Sequence, residues 1–176
     1  MISEPKVEER AERPYVAVRT RVPMPNWGHL LPGLWGEVYG WLGRQGVAPA
    51  GPPLIRYRVI DMQTELEIDV GVPVAQALTG DDRITADVLP AGRYAMLVYT
   101  GDYSGLVGAT AALLDWGAAQ GLVWDSRTGP RGDEFGARFE SYLTDPQEEP
   151  DPAKWETALA MRLADGKHPS RGREPE

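Results

Sequence analysis

The sequence predicts an α+β protein built from a duplicated strand–helix–strand–strand unit, and three observations predict it. The first is the stretch Val88–Leu106, which reads as a turn, an apolar strand, a second Gly-marked turn and the start of a helix. Pro90 fixes φ and Gly92 permits positive φ, so the chain can reverse before the strand Tyr94–Thr100. Gly101 then breaks the strand, and Asp102 or Ser104 can cap the helix that follows. The same order appears earlier, where Pro14 precedes a strand at Tyr15–Val22, a Pro/Asn/Gly turn and a helix rich in Leu and Trp. The second observation is that Trp41-Leu-Gly-Arg-Gln-Gly46 answers Trp116-Gly-Ala-Ala-Gln-Gly121 at the two helix ends. The third is that each helix leads on to a strand containing Tyr, at Leu54–Ile60 and at Arg138–Thr144. Duplicated units of this kind tend to place a cleft on their pseudo-twofold axis.

Taken in order, the charged segment 4–13 includes Val7 and reads as an edge strand entering at Pro14. In Tyr15–Val22, Tyr15, Ala17 and Arg19 alternate with Val16, Val18 and Thr20. After the loop 23–28, Leu31, Leu34, Val38 and Leu42 recur at helical spacing, with Trp35 and Tyr39 on an adjacent face. Gly46 ends this helix, and 47–53 is a Pro/Gly loop. Leu54–Ile60 and Glu65–Val72 read as a hairpin. Its second strand sets Leu66, Ile68 and Val70 on one face and Glu65, Glu67 and Asp69 on the other, so one face meets water or a polar cleft. The second unit opens near Arg83 with strands at 84–89 and 93–100. Its helix carries Leu106, Leu113 and Trp116 with Ala109 and Ala112. Residues 126–134 read as a loop, Phe139–Leu143 as a strand and Trp155–Leu163 as the closing strand. The organisation expected is a single domain over 1–165, with repeats at about 4–78 and 83–164 and a disordered tail at 166–176.

Composition narrows the function. At 176 residues, 42% hydrophobic and 25% charged, the chain is long enough for a proper core. It has no cysteine, which excludes disulfides, thiolate metal sites and cysteine nucleophiles together. Its two histidines, His29 and His168, are too far apart to suggest a zinc site, so no metal or cofactor is expected. The net charge of −8 argues against a phosphate-binding surface and direct nucleic-acid binding. No run approaches a membrane span and the charged N-terminus has no signal core, so the expectation is a cytoplasmic protein without membrane association.

Leu89-Pro-Ala-Gly-Arg-Tyr-Ala95, Gly101-Asp-Tyr-Ser-Gly-Leu106, Glu140-Ser-Tyr-Leu-Thr-Asp-Pro146 and Trp155-Glu-Thr157, in that order and with the internal repeat, carry a resemblance. They resemble the GyrI-like small-molecule-binding family, which also supplies effector-binding domains to AraC-type and multidrug-responsive regulators. With the strand 53–61 and Glu67-Ile-Asp-Val-Gly-Val-Pro-Val74, the resemblance runs roughly from Val7 to Leu163. It implies a concave antiparallel sheet with two helices behind it, and a central aromatic ligand cleft that holds an acidic residue. Two departures stand out. The sequence shows no helix-turn-helix segment, and Ala158 follows Thr157 where the family usually has Glu.

Within that frame, Glu140 is the leading site candidate: a carboxylate between aromatics either has its pKa raised for acid–base work or stays ionised and attracts cations. Tyr142, on the same strand face, and Tyr103 are its proposed catalytic companions. Trp35, Tyr39, Tyr57 and Trp124 are the expected aromatic ligand contacts, since rigid rings bind flat apolar or cationic molecules. Glu67 is a weaker ligand-binding candidate, and Trp41 and Trp116 read as core. The resulting expectation is a stand-alone protein that binds a planar hydrophobic or cationic small molecule. The resemblance leaves open hydrolysis of cyclopropane-bearing, DNA-alkylating toxins, a non-enzymatic drug sensor or sequestering role, and an interaction with DNA gyrase.

Overall fold

The computed structural model describes residues 1–23, 27–61 and 63–166. The expected disordered tail therefore falls almost wholly outside the described residues. Ten strands and two helices follow one another as β1 (Lys6–Arg10), β2 (Arg13–Pro23), α1 (Leu31–Gln45), β3 (Leu54–Ile60), β4 (Glu65–Pro73), β5 (Thr85–Leu89), β6 (Gly92–Thr100), α2 (Leu106–Ala119), β7 (Ser126–Gly129), β8 (Gly132–Phe135), β9 (Arg138–Tyr142) and β10 (Glu156–Arg162). All the strand pairings are antiparallel. The sheet order is β1-β6-β10-β9-β3-β4-β2-β5. Exchanging β1 with β5, β2 with β6, β3 with β9 and β4 with β10 reverses that order onto itself. The duplication is thus a pseudo-twofold of the sheet, and the two repeats meet at the β3–β9 pair.

Both helices end by the same device. Gly46 and Gly121 have φ of 68° and 72°, a left-handed conformation that glycine adopts without the cost of a Cβ clash. This explains why Gln-Gly recurs at the two positions. Asp102 accepts a hydrogen bond from the Ser104 N–H at 3.1 Å and caps the single 3₁₀ turn leading into α2.

The two sheet faces bury different things. Val16, Val18 and Val72 pack beneath Val38, Trp41 and Leu42 of α1, while Ala95, Leu97 and Leu159 pack beneath Ala109 and Leu113 of α2. Each helix therefore covers the outer strands of its own repeat. On the opposite face, Tyr15 of β2 and Tyr94 of β6 belong to one buried cluster with Leu54, Phe139 and Ala160. These strands stand far apart in the order, so the sheet curls around the cluster into a half-barrel with the helices outside.

One expectation changes. Residues 126–134 are not a loop but most of the β7–β8 hairpin, which pairs through β8 with the end of β3. Strands β5 and β6, on either side of Pro90–Gly92, take separate partners: β5 joins β2 and β6 joins β1 and β10. The carboxylate row of β4 grades from exposed Glu65 through Glu67 to a buried end. Asp69 is fully buried, held by the Tyr15 hydroxyl at 2.5 Å and by Arg19 at 2.8 Å.

Candidate functional site between the two helices

Because each helix covers its own repeat, the central pair β3–β9 forms the floor of the gap between them. In that pair Leu54 faces Ser141, Ile55 faces Glu140 and Arg56 faces Phe139. This register puts the pseudo-twofold axis between Ile55 and Glu140. Counting outward with chain direction preserved, Tyr57 is the counterpart of Tyr142, and Pro53 that of Arg138. Glu140 therefore lies at the molecular centre, with Leu159 as its other cross-strand neighbour.

Strand alternation fixes what faces the gap: Arg138, Glu140 and Tyr142 share one face of β9, while Phe139 joins the inner core. Glu140 is only 8% exposed. The Tyr142 hydroxyl donates to its Oε2 at 2.6 Å. Burial pushes the Glu140 carboxyl above its ordinary value, against the opposing pull of the Tyr142 and Tyr57 hydroxyls and the charge of Arg138. Both tyrosines are raised well above the phenol range, by burial first and then by the carboxylate they serve.

Aromatics close the floor from above. Trp35 on α1 meets Tyr142 edge to face with centroids 5.3 Å apart, and its indole N–H donates to the Gly71 carbonyl at 3.3 Å. Tyr103, from the turn before α2, meets Tyr142 at 5.7 Å and lies tilted on Trp155 at 4.9 Å. Trp27 meets Tyr57 at 6.2 Å. Such edge-to-face contacts are favourable aromatic geometry. The cavity beside Glu140, lined by Tyr57, Thr110, Leu113, Arg138 and Leu159, has a volume of about 10 Å³, enough for a single water.

Five candidate residues thus come together: Glu140, Tyr142, Tyr57, Trp35 and Tyr103. Tyr39 is at the rim, 40% exposed like Tyr103, and both phenols are raised by burial and by the charge of Asp145. Glu67 is elsewhere. It is on the inner face of the sheet, among Arg21, Arg58 and Arg131, because its neighbours Leu66 and Ile68 take the face beneath α1. Trp124 is also apart, packed against Gly117 of α2 and bridged to Leu163. Position 158 faces away from the helices, alternating with Thr157 and Leu159, so a carboxylate there would not have joined Glu140. The sequence reading did not single out Trp27, Trp155 or Arg138. Among the described residues no cluster of potential metal ligands occurs, and no helix is long and apolar enough to cross a membrane.

The architecture is thus a curled sheet with a pseudo-twofold, two outer helices and an aromatic-walled carboxylate between them. Consistent with that, the GyrI-like small molecule binding domain matches residues 3–164, and the chain belongs to this family. The C-terminal domain of EcmrR is similar in fold, with a TM-score of 0.67 and 15% identity over 93% of this chain and 98% of that domain. The chain spans 58% of the EcmrR chain in its DNA complex. A hydrolase from Listeria innocua matches with a TM-score of 0.60 and 16% identity, covering 92% of each chain. SAV2435 bound to tetraphenylphosphonium matches with a TM-score of 0.57 and 11% identity over 92% of this chain and 94% of that one. No curated protein matches in sequence.

Proposed function

We propose that this chain binds a planar, largely apolar small molecule between its two repeats. The ligand's flat body lies among Trp35, Tyr103, Tyr57 and Tyr142, and its polar end meets the group around Glu140. One observation carries the reading: a carboxylate buried on the pseudo-twofold axis, held by Tyr142 and Tyr57, with its pKa raised by that burial. A fold under ordinary stability pressure would fill such a position with an apolar residue, as it does at the equivalent Ile55, since burying an ionisable group costs free energy. Ligand pockets ordinarily hold several hundred Å³, so entry displaces side chains from above the floor. Trp35 and Tyr103 are the ones placed to move. SAV2435, which has a similar fold, is bound to tetraphenylphosphonium, in keeping with small-molecule binding by this fold.

The test is fluorescence quenching with a panel of planar dyes on wild type and Trp35→Ala. Saturable binding weakened by about fivefold to tenfold in the variant is expected for the loss of one aromatic contact. Absence of saturable binding across the panel would overturn the reading.

A second reading, hydrolysis, is favoured by the same carboxylate, because a desolvated Glu with a raised pKa suits general-base work. The similarity to the Listeria hydrolase is in keeping with it. With a cyclopropane-bearing electrophile as substrate, Glu140 would take a proton from water as the water oxygen bonds to a ring carbon. The breaking C–C bond would deliver its electron pair to the conjugated carbonyl, whose oxygen a phenol can protonate. Wild type should then yield a water-added, ring-opened product by mass spectrometry, while Glu140→Gln loses about 10²–10⁴-fold in rate. Equal yields from both proteins and from buffer would leave binding alone.

A further inference from the structure

We propose that Arg138 is a ligand-binding residue, and that it makes the site select planar molecules carrying a hydrogen-bond acceptor, a carbonyl or a carboxylate, over lipophilic cations. The inference rests on the binding reading above and deepens it. Arg138 precedes Glu140 by two residues on the same strand face and lines the same cavity, together with Tyr57, Thr110 and Leu113. Its guanidinium lies 4.9 Å from the Phe135 ring centroid and 5.9 Å from that of Tyr57. A guanidinium placed over aromatic faces keeps its N–H edge free for in-plane acceptors.

Those donors have no acceptor among the described residues, as Arg138 makes no hydrogen bond or ion pair with them. Arg19, Arg56 and Arg162 behave differently. Arg19 holds Asp69 and Asp87, Arg56 reaches the Val88 and Gly136 carbonyls, and Arg162 holds Asp125 and the Ala91 carbonyl. Burial presses the Arg138 pKa down, partly offset by Tyr57, Glu140 and Asp133 without any of them pairing with it. The Arg138 nitrogens keep some contact with solvent, so a ligand's acceptors would replace water there.

Hydrogen-bond accounting in the site runs the same way. The Glu140 carboxylate receives the Tyr142 hydroxyl and is served by Tyr57, so two of its about four lone-pair sites already have donors. Arg138 brings none of its donors to a protein acceptor, and a ligand complementary to it brings acceptors. A positively charged ligand would meet Glu140 but also the like charge of Arg138 two residues away.

The test uses one flat ring with three substituents: anthracene-9-carboxylate, its methyl ester, and 9-anthracenemethylammonium. Affinities come from tryptophan quenching on wild type, Arg138→Met and Trp35→Ala. Wild type is expected to bind the carboxylate and the ester about tenfold or more tightly than the ammonium, the size of one hydrogen bond to a charged group. In Arg138→Met that preference should fall to within about threefold. Arg138→Gln replaces it if circular dichroism shows that the Met variant does not fold, and the wild-type preference is read without any variant. Equal or tighter binding of the ammonium by wild type, or a preference that survives loss of the guanidinium, would overturn the role of Arg138. In that event, weakened binding in Trp35→Ala would leave the site itself standing. If no probe binds, the site reading fails and the proposal falls with it.

Discussion

Replacing Gly33, Gly36 and Gly43 together by alanine is expected to stabilise the protein, and the size of the gain follows from where they sit. Helix α1 carries four exposed glycines, Gly33, Gly36, Gly40 and Gly43, in fifteen residues. A Cβ built at Gly33, Gly36 or Gly43 meets nothing within 4 Å, whereas at Gly40 it meets the Arg44 guanidinium at 3.5 Å. The three substitutions therefore add helix propensity without strain. Gly36, in the helix interior, is worth about 1 kcal/mol and the two nearer the ends less, about 1.5–2.5 kcal/mol in all. For a chain of this size that raises Tm by roughly 3–10 °C. Thermal melts followed by circular dichroism, with urea titrations at fixed temperature, read it directly. Gly71→Ala is the opposing control, since its Cβ would lie 2.7 Å from the Val16 carbonyl oxygen and 2.9 Å from the Ala17 Cβ. No gain in the triple variant would mean that the glycine face of α1 is not the open surface described here, and the reasoning from propensity would fail.

Asp69→Ala should cost about 3–5 kcal/mol, because it strips a buried carboxylate from Arg19 and Tyr15 and leaves the guanidinium without its principal partner; urea denaturation measures it. Glu140 gives a pH signature. Its folded pKa is raised, so the native state holds the proton more tightly than the unfolded chain, and stability falls as pH climbs from near 4.5 through the raised value, then levels. Glu140→Gln should lack that decline and be the more stable protein at neutral pH. A wild-type stability that instead rises across this window relative to the Gln variant would refute the assignment. Tyr142→Phe removes a donor to the ionised carboxylate, so the Glu140 pKa should move further up, as read by carboxyl carbon NMR titration.

Much of the fold was legible because the duplication repeats its punctuation. Two Gln-Gly helix ends and two Tyr-bearing strands constrain the chain twice, and the sheet order obeys the same exchange. The β7–β8 hairpin was not legible, since Ser-Arg-Thr-Gly and Gly-Asp-Glu-Phe offer no apolar alternation and bury little. Within the candidate site, alternation and resemblance agree on Glu140 and Tyr142, which the structure brings into hydrogen-bond contact. Glu67 shows the limit of alternation alone: it divides β4 into two faces but does not say which one the helix covers. Trp124 shows another, since an indole seated on a helix glycine looks no different in sequence from one lining a cleft. Arg138 carried a usable signal. In Arg-Phe-Glu-Ser-Tyr the period of two puts three polar groups on one face, and an arginine there has to find an acceptor or a ligand.

The pseudo-symmetry also explains why the site is lopsided. Duplication supplies the aromatic frame twice, as Tyr57 and Tyr142 on the two sides of the axis, but it supplies the polar groups once. Ile55 stands where symmetry would put a second Glu140, and Pro53 where it would put a second Arg138. Two carboxylates facing each other across the β3–β9 pair would compete for one proton, each penalising the other's ionisation. A single one avoids that, and Arg138 at one end only gives the floor a direction. On the proposed reading, a symmetric frame with asymmetric chemistry would admit a flat molecule in one orientation, with its acceptor end toward Arg138. Reversing the ligand would leave the guanidinium without an acceptor and cost the hydrogen bond that distinguishes the probes above.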